Sequence, residues 1–240
     1  MLRIVIYLLL ICASTGALCA VGDAAVPVAP ESFKSYIPIK LENSSWSYGY
    51  VFLAPELAKN ADVSKQAGEE GDAVLRLTIN KQNITIRFDE GPSDDPGFVI
   101  EIRGDERIYD VGGSTVFVSA EGHFYTSARM NQDYQKRQKY RLSTEGLTEV
   151  TQAYYLVDSQ CAVTELTQLY SLPCGKGHVV ASIPQGGRVQ VMLHDANAAC
   201  AIPQYLVSSS FGLVGWVGSE SGLLNIKPGK PLNCISFYGD

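Results

Sequence analysis

Four cysteines carry the clearest chemistry in the second half of this 240-residue chain: Cys161, Cys174, Cys200 and Cys234. Behind an export signal, an even number of cysteines predicts disulfides, here two. Four cysteines allow three pairings. We favour Cys161–Cys234, which would tie the start of a terminal domain to its tail, together with Cys174–Cys200, which would join two loops of the same domain.

Cys174 also stands four residues before His178, and a cysteine beside a histidine can form a thiolate nucleophile. The pair falls in a predicted loop between strands, without the strand-to-helix turn that would supply an oxyanion donor, so we favour the disulfide. His123, His178 and His194 are the only histidines, and none has a second metal ligand at a suitable spacing. No hydrolase, zinc-protease, phosphate-loop or dinucleotide motif occurs. We therefore predict no catalytic residue, no metal site and no cofactor.

The N-terminus has the three parts of a secretory signal peptide. Met1–Arg3 is basic, Ile4–Ala13 is apolar, and small residues follow. The apolar run is shorter than the ~20 residues that span a bilayer, which disfavours the alternative of a membrane anchor. A lipid anchor at Cys19 is less favoured because Leu18, and not a small residue, precedes it. We predict a signal peptide over residues 1–22 and export to the periplasm or the extracellular space.

The chain is acidic, with a net charge of −6 that becomes −7 once Arg3 leaves with the signal peptide. Phosphate binding needs a basic surface, so this balance disfavours nucleic acid as a partner. No later stretch is apolar enough to span a membrane. The one basic cluster, Lys136-Arg137 with Lys139 and Arg141, is explained by the solvated face of a hairpin, although in an acidic protein it could also face an anionic partner.

Residues 23–35 hold two prolines and several alanines without a period, which predicts a flexible segment after the cleavage site. Residues 36–158 are predicted to form a β-rich domain of no recognised family, because short alternating runs recur about every ten residues between turn signals. Such spacing is typical of a sheet sandwich or an open barrel. The clearest run is a hairpin over Val74–Phe88, and the single helix candidate is Pro55–Gln66. Aromatic residues alternate over Trp46–Phe52, which we assign to the core and not to a sugar platform.

A second unit begins at Asp158-Ser-Gln-Cys161 and covers residues 159–240. Its strands are separated by glycine-rich turns and carry few helical signals. Gly186 and Gly187 can adopt the positive φ that a two-residue hairpin turn requires. The predicted strand pairs are residues 179–183 with 188–193, and residues 205–209 with 214–217.

The terminal unit contains, in chain order, Val179–Ile183, Gly186-Gly187, Val189, Val191, Tyr205-Leu-Val207 and Gly212-Leu-Val-Gly-Trp-Val217. This pattern resembles the bacterial SH3-like (SH3b) domains of exported and cell-wall proteins. The resemblance implies a small SH3-like β-barrel at residues 159–240 with a disulfide-pinned tail. The predicted fold is therefore mainly β: an N-terminal antiparallel β-domain followed by that barrel. The most specific piece of the resemblance is Gly215-Trp-Val217, placed after the glycine turn.

The resemblance implies a targeting or regulatory role, in which such domains hold cell-wall peptides or protein segments. Extended ligands generally lie on aromatic grooves or exposed strand edges. The aromatic candidates for ligand binding are Tyr170, Tyr205, Phe211 and Trp216, although Trp216 would also suit the core. We expect a non-enzymatic envelope protein that binds a cell-wall component or a protein partner.

Two other functions fit the sequence. An inhibitor or immunity protein would use the acidic, disulfide-bonded scaffold to block a secreted basic enzyme. An enzyme would need catalytic groups from the unrecognised N-terminal domain, and a cleft near His123 and the Asp89–Asp95 loop is where they would be expected.

Overall fold

The structure is a computed structural model, and it describes residues 26–43, 47–65, 72–91, 95–105, 107–220 and 230–238. The predicted signal peptide, Cys19 and Trp46 lie outside the described residues. Within them the fold is mainly β, as predicted, and its strands form three sheets. In the described part of the chain, no helix is both long enough and apolar enough to cross a membrane.

The described regular structure consists of strands, one short α-helix and a 3₁₀ turn at Glu31–Phe33. In chain order, the bounds are β1 Ile37–Glu42, β2 Tyr48–Leu53, α1 Pro55–Ala58, β3 Asp62–Lys65, β4 Ala73–Ile79, β5 Gln82–Asp89, β6 Gly97–Ile102, β7 Ile108–Gly112, β8 Thr115–Val118, β9 His123–Ala128, β10 Lys136–Ser143, β11 Gly146–Glu149, β12 Tyr154–Ala162, β13 Thr167–Leu172, β14 Lys176–Ile183, β15 Arg188–Asp195, β16 Gln204–Ser209 and β17 Val214–Gly218.

The N-terminal half folds into two sheets that share one core. The first sheet has the order β1-β2-β8-β9-β10-β11 and the second β3-β4-β5-β6-β7. Alternation turns one side of each strand inward: in β5, Ile84, Ile86 and Phe88 are buried, and the residues between them are more exposed. Leu53 and Phe124 of the first sheet belong to the same buried cluster. Of the two predicted architectures, the structure has the sandwich.

One strand pair departs from the predicted antiparallel arrangement. β2 and β8 run parallel, with Tyr50 opposite Thr115 and Phe52 opposite Phe117. All five strands of the second sheet lie between β2 and β8 in the chain. A long crossover of this kind is what a parallel pair requires, since a short hairpin can join only antiparallel strands.

The hairpin of β4 and β5 confirms the prediction over Val74–Phe88. Asn80 and Lys81 form its two-residue turn, with φ of 51° and 66°. Two positive φ values are those of a type I′ turn, whose twist matches that of the paired strands. The predicted helix Pro55–Gln66 is wrong beyond Ala58, because residues 62–65 pair with β4 as β3 and this pairing outweighs a weak helical pattern.

The C-terminal half is one six-stranded sheet in the order β12-β15-β16-β17-β13-β14. The last predicted pair, β16 with β17, is present. The hairpin predicted across Pro184–Gly187 is wrong, because β14 pairs with β13, and β15 pairs with β12 and β16. Residues 184–187 nevertheless connect β14, at one edge of the sheet, to β15, which lies next to the opposite edge. Because this connection is short, the sheet has to curl. Among the described strands, no pairing of β12 with β14 closes it into a barrel.

The domain boundary predicted at residues 158–159 falls inside β12, which pairs with β15 on both sides of that position. The chain therefore passes to the C-terminal sheet at residues 150–153. Of the segment predicted to be flexible over residues 23–35, residues 26–35 are described, and they include the 3₁₀ turn Glu31–Phe33. There the 3₁₀ turn stacks the Phe33 ring on Phe117, with 4.5 Å between centroids, and this contact holds the segment against the first sheet.

Residues from outside the C-terminal sheet complete its core. Tyr134, between β9 and β10, is buried there, as are Leu232 and Ile235 of the tail. The disulfides are Cys161–Cys234 and Cys174–Cys200, which is the pairing favoured from the sequence. Such bonds form and persist in non-reducing compartments, in agreement with an exported protein.

Candidate binding surface

The outer face of the C-terminal sheet carries an apolar side chain on each strand, and these form a continuous row. Residues directly opposite in antiparallel strands point to the same face, and the register links each member to the next. Their sequence neighbours, such as Tyr155, Tyr205 and Val217, belong to the core. Strands lie about 4.8 Å apart, so the row is about 24 Å long. This apolar row consists, in spatial order, of Leu156, Leu193, Leu206, Trp216, Tyr170 and Val179.

The apolar row is open to solvent. Leu156 and Val179 at its two ends are 45% and 44% exposed, and the members between them are partly exposed. Tyr154 extends the apolar surface beside Trp216, with 6.4 Å between the ring centroids. Single exposed apolar residues are normal on a soluble protein, whereas a contiguous patch is typical of a binding site. The outer face of this sheet is therefore the best candidate for a docking surface.

A pocket of about 500 Å³ opens beside Tyr170, and its walls include the Cys174–Cys200 disulfide and Ile202. The buried Gln204 side chain joins these walls. Its Oε1 accepts a hydrogen bond from the Cys174 backbone N–H, and its Nε2 donates to the Ile202 carbonyl, both at 2.9 Å. The disulfide and this amide bridge therefore fix the shape of a preformed pocket at the side of the apolar row.

The structure separates the four aromatic residues predicted to bind ligand. Tyr170 and Trp216 lie opposite each other in the middle of the apolar row. The prediction is wrong for Tyr205, which is fully buried and stacks on His194 with 5.2 Å between ring centroids. Phe211 is 88% exposed, but it occupies the turn between β16 and β17, outside the row.

The aliphatic members of the row were not predicted from the sequence. Leu193 and Leu206 stand in strands where apolar residues occupy both faces, so alternation alone does not show which ones face outward. The only signal in the sequence is alternation along the strand. Leu206 lies between Tyr205 and Val207, which share the inner face, and so it points outward. The register of six strands is needed to show that these outward residues align.

A neutral polar cluster lies under the sheet, at its contact with the N-terminal half. The Tyr134 hydroxyl and the His194 Nδ1 atom are 2.9 Å apart and share a hydrogen bond. Burial lowers the pKa of His194, and it raises the pKa of both Tyr134 and Tyr205. All three groups are therefore uncharged at neutral pH, which suits a structural role and gives no activated nucleophile.

A second pocket, of about 780 Å³, lies over the outer face of the second sheet. Arg76 lies opposite Asp62, and Glu101 lies two strands away from Arg76. Positive and negative side chains therefore alternate across this pocket. At its rim, hydrogen bonds from the Arg107 side chain and backbone lower the pKa of Asp105, with a further contribution from Tyr109. A carboxylate with a lowered pKa stays ionised and is a poor general base, so Asp105 is not poised for acid–base catalysis.

The positions named for an enzyme come from different elements of the fold, and residues 92–94 of the Asp89–Asp95 loop lie outside the described residues. Among the described residues, no group of three or more His, Cys, Asp or Glu side chains is arranged to hold a metal ion. His123 begins β9 in the first sheet, whereas Asp89 ends β5 in the second. Cys174 is in a disulfide and cannot act as a thiolate beside His178.

Comparison of the chain with protein-family models, with curated proteins and with solved structures finds no match. The apolar row combines exposure, continuity across six strands and a preformed pocket at its side.

Proposed function

We propose that this protein is an exported, non-enzymatic binding protein of the bacterial envelope, and that the apolar row and its pocket hold an extended segment of a partner protein. The observation that carries the proposal is the alignment of the row on a solvent-exposed sheet face. The two disulfides and the signal-peptide pattern support export. The resemblance to SH3b domains agrees with a binding role.

The chemistry of the row favours a polypeptide ligand over a glycan. Leu and Val side chains make up four of its six members, and they offer no hydrogen bonds to sugar hydroxyls. An extended peptide rises about 3.3 Å per residue, so the row accommodates about seven residues. Trp216 and Tyr170 lie at its middle, and aromatic residues at the centre of an interface usually contribute most of its binding energy. We therefore expect a partner segment with several apolar side chains.

The test is a pull-down from envelope extract and from insoluble peptidoglycan with the mature protein. The site variant is Trp216→Ala/Tyr170→Ala, and the matched control is Phe211→Ala, an exposed aromatic residue outside the row. We expect a discrete protein to be retained by the wild type and the control, and retained at least about tenfold less by the site variant. A synthetic peptide from that protein should then change the fluorescence of Trp216 in a Trp46→Phe background, where Trp216 is the only tryptophan.

Other outcomes would assign a different function. Retention of the partner by the site variant would place the contact outside the row. Binding to peptidoglycan alone, lost in the site variant, would make the protein a wall-targeting module. A one-to-one complex with a basic secreted enzyme, with loss of that enzyme's activity, would make it an inhibitor. Hydrolysis of peptidoglycan by the pure protein would contradict the non-enzymatic assignment.

A further inference from the structure

Strand β10 sorts its basic residues onto two faces. Lys136 and Leu142 lie on the inner side, where Leu142 is buried and Lys136 pairs with Glu149 at 3.4 Å. The residues that alternate with these along β10 project to the outer face of the first sheet. Alternate residues of a strand are about 7 Å apart, so three cations follow one another at that interval. We call them the cationic strip: Arg137, Lys139 and Arg141.

The cationic strip is not neutralised by the protein itself. Among the described residues, no carboxylate oxygen lies within ion-pair distance of any of its three side chains, whereas Lys136 on the other side of the same strand has Glu149. Arg137 and Arg141 are exposed. An unpaired linear group of cations is unusual in a chain of net charge −6. Local positive charge on an acidic protein attracts anionic ligands selectively to one place.

Aromatic rings lie directly beside the strip. Lys139 is opposite Tyr125, with its Nζ 5.5 Å from the ring centroid, and Tyr125 is opposite Phe117 on the next strand. Phe33 stacks on Phe117 and continues this aromatic surface. Tyr125 and Phe117 are both partly exposed. The outer face of the first sheet therefore places flat apolar rings next to regularly spaced cations.

The charges around His123 show how far the strip dominates this face. His123 lies opposite Arg141. Its pKa is lowered, first by burial and then by the positive charges of Lys139 and Arg141, against an opposing effect of Glu121. The ring is therefore neutral at neutral pH. The positive field of the strip outweighs that carboxylate at the position of His123.

We infer that the outer face of β10 is a second binding surface, and that its ligand is an acidic polysaccharide of the envelope. A linear uronic acid polymer carries carboxylates at repeated intervals that the strip can pair with. Its sugar rings present C–H faces that pack on Tyr125 and Phe33, the partly exposed rings beside the strip, since Phe117 is covered by Phe33. Nucleic acid fits less well, because the signal-peptide pattern and the disulfides favour an exported compartment. This surface is separate from the apolar row, which belongs to a different sheet.

The experiment measures binding of the mature protein to polygalacturonate, with dextran as the neutral polymer. Single-stranded oligo(dT) and phosphatidylglycerol vesicles are the other anionic probes. The site variant is Arg137→Gln/Lys139→Gln/Arg141→Gln. The matched control, Lys81→Gln/Lys176→Gln/Arg188→Gln, removes the same charge from exposed positions elsewhere. Melting temperatures of all variants check that the fold is intact.

We expect the wild type to bind polygalacturonate and not dextran, and to bind more weakly as salt is raised. The site variant should lose at least about tenfold in affinity, and the control should stay within about twofold. The Trp216→Ala/Tyr170→Ala variant should bind polygalacturonate like the wild type, which separates this inference from the function proposed above. Equal loss in the control and the site variant, or binding to oligo(dT) or vesicles without polygalacturonate, would overturn it.

Discussion

The two halves of the protein enclose their cores by different means. In the N-terminal half, two sheets cover each other, and residues such as Leu53 and Ile86 from opposite sheets meet in one cluster. In the described part of the C-terminal half, the strands form a single curled sheet and no second sheet covers it. Its inner face is covered by Tyr134 from the other half and by the tail residues Leu232 and Ile235, and Cys161–Cys234 anchors that tail.

The difference follows from size. A small unit buries a lower fraction of its surface than a large one, so its core alone contributes little net stability. Exported domains of this kind are usually stabilised by disulfides. Here the covalent link joins β12 to a tail that also pairs with the end of this strand at Val163 and Leu232. The cross-link thus holds the tail residues Leu232 and Ile235 in the core of this half.

The largest expected effect is Phe124→Ala in the N-terminal core, where Phe124 is fully buried. Removing a buried Phe side chain usually lowers the free energy of unfolding by about 3–5 kcal/mol, since contacts are lost and a cavity remains. Urea unfolding followed by circular dichroism measures this loss. In a Trp46→Phe background, Trp216 fluorescence reports the C-terminal sheet separately. A shift of both signals together would show that the two cores unfold as one unit, against the comparison drawn above.

Next in size is Cys161→Ser/Cys234→Ser. This disulfide closes a separation of 73 residues, and its loss should lower the free energy of unfolding of the C-terminal half by about 2–4 kcal/mol. The matched control is Cys174→Ser/Cys200→Ser, with a separation of 26 residues and an expected loss about 1 kcal/mol smaller, from the logarithmic dependence on loop length. Urea titrations followed by Trp216 fluorescence compare the two. An equal loss would show that anchoring the tail has no special weight.

The smallest effect is a pH dependence from His194, which joins the two halves through Tyr134. Burial lowers its pKa in the folded state, against the opposing charges of Asp133 and Asp195 and with a contribution from Lys136. The unfolded chain therefore takes up the proton first, and stability falls as pH drops below about 6.5. The slope for one proton is at most about 1.4 kcal/mol per pH unit.

The check on this pH effect is urea unfolding of the wild type and of His194→Gln between neutral and mildly acidic pH. The His194→Gln variant should give a flatter dependence. His178→Gln, at an exposed position, serves as the control and should follow the wild type. A wild-type profile that His194→Gln leaves unchanged would show that another group is responsible.

Local patterns predicted much of the secondary structure. The β4–β5 hairpin follows from two alternating runs around a polar link, and that link adopts the turn such a link favours. The pairing of strands was harder, since alternation shows which residues form a strand and not which strand it pairs with. Pro184–Gly187 has the composition of a hairpin turn, yet it joins strands that do not pair, because β14 pairs with β13 and β15 with β12.

The candidate site was predicted in part. Tyr170 and Trp216 were named from their type, and the structure places both in the apolar row. Tyr205 was named for the same reason and is buried, because it shares the inner face of β16 with Val207. Apolar residues on both faces of β16 hide that assignment in the sequence. Only the position of the core determines which face of β16 points inward.

The nesting of the disulfides also bears on how the protein is made. Cys174–Cys200 lies wholly inside the interval closed by Cys161–Cys234. In a chain that is delivered N-terminus first, Cys161 and Cys174 emerge before their partners, and early oxidation would join these two. The native disulfide of Cys161 cannot form until Cys234 has been delivered. Correct pairing therefore requires one of two conditions. Either the Cys161 thiol in β12 stays unreactive until the tail has been delivered, or an isomerase reopens a non-native Cys161–Cys174 disulfide.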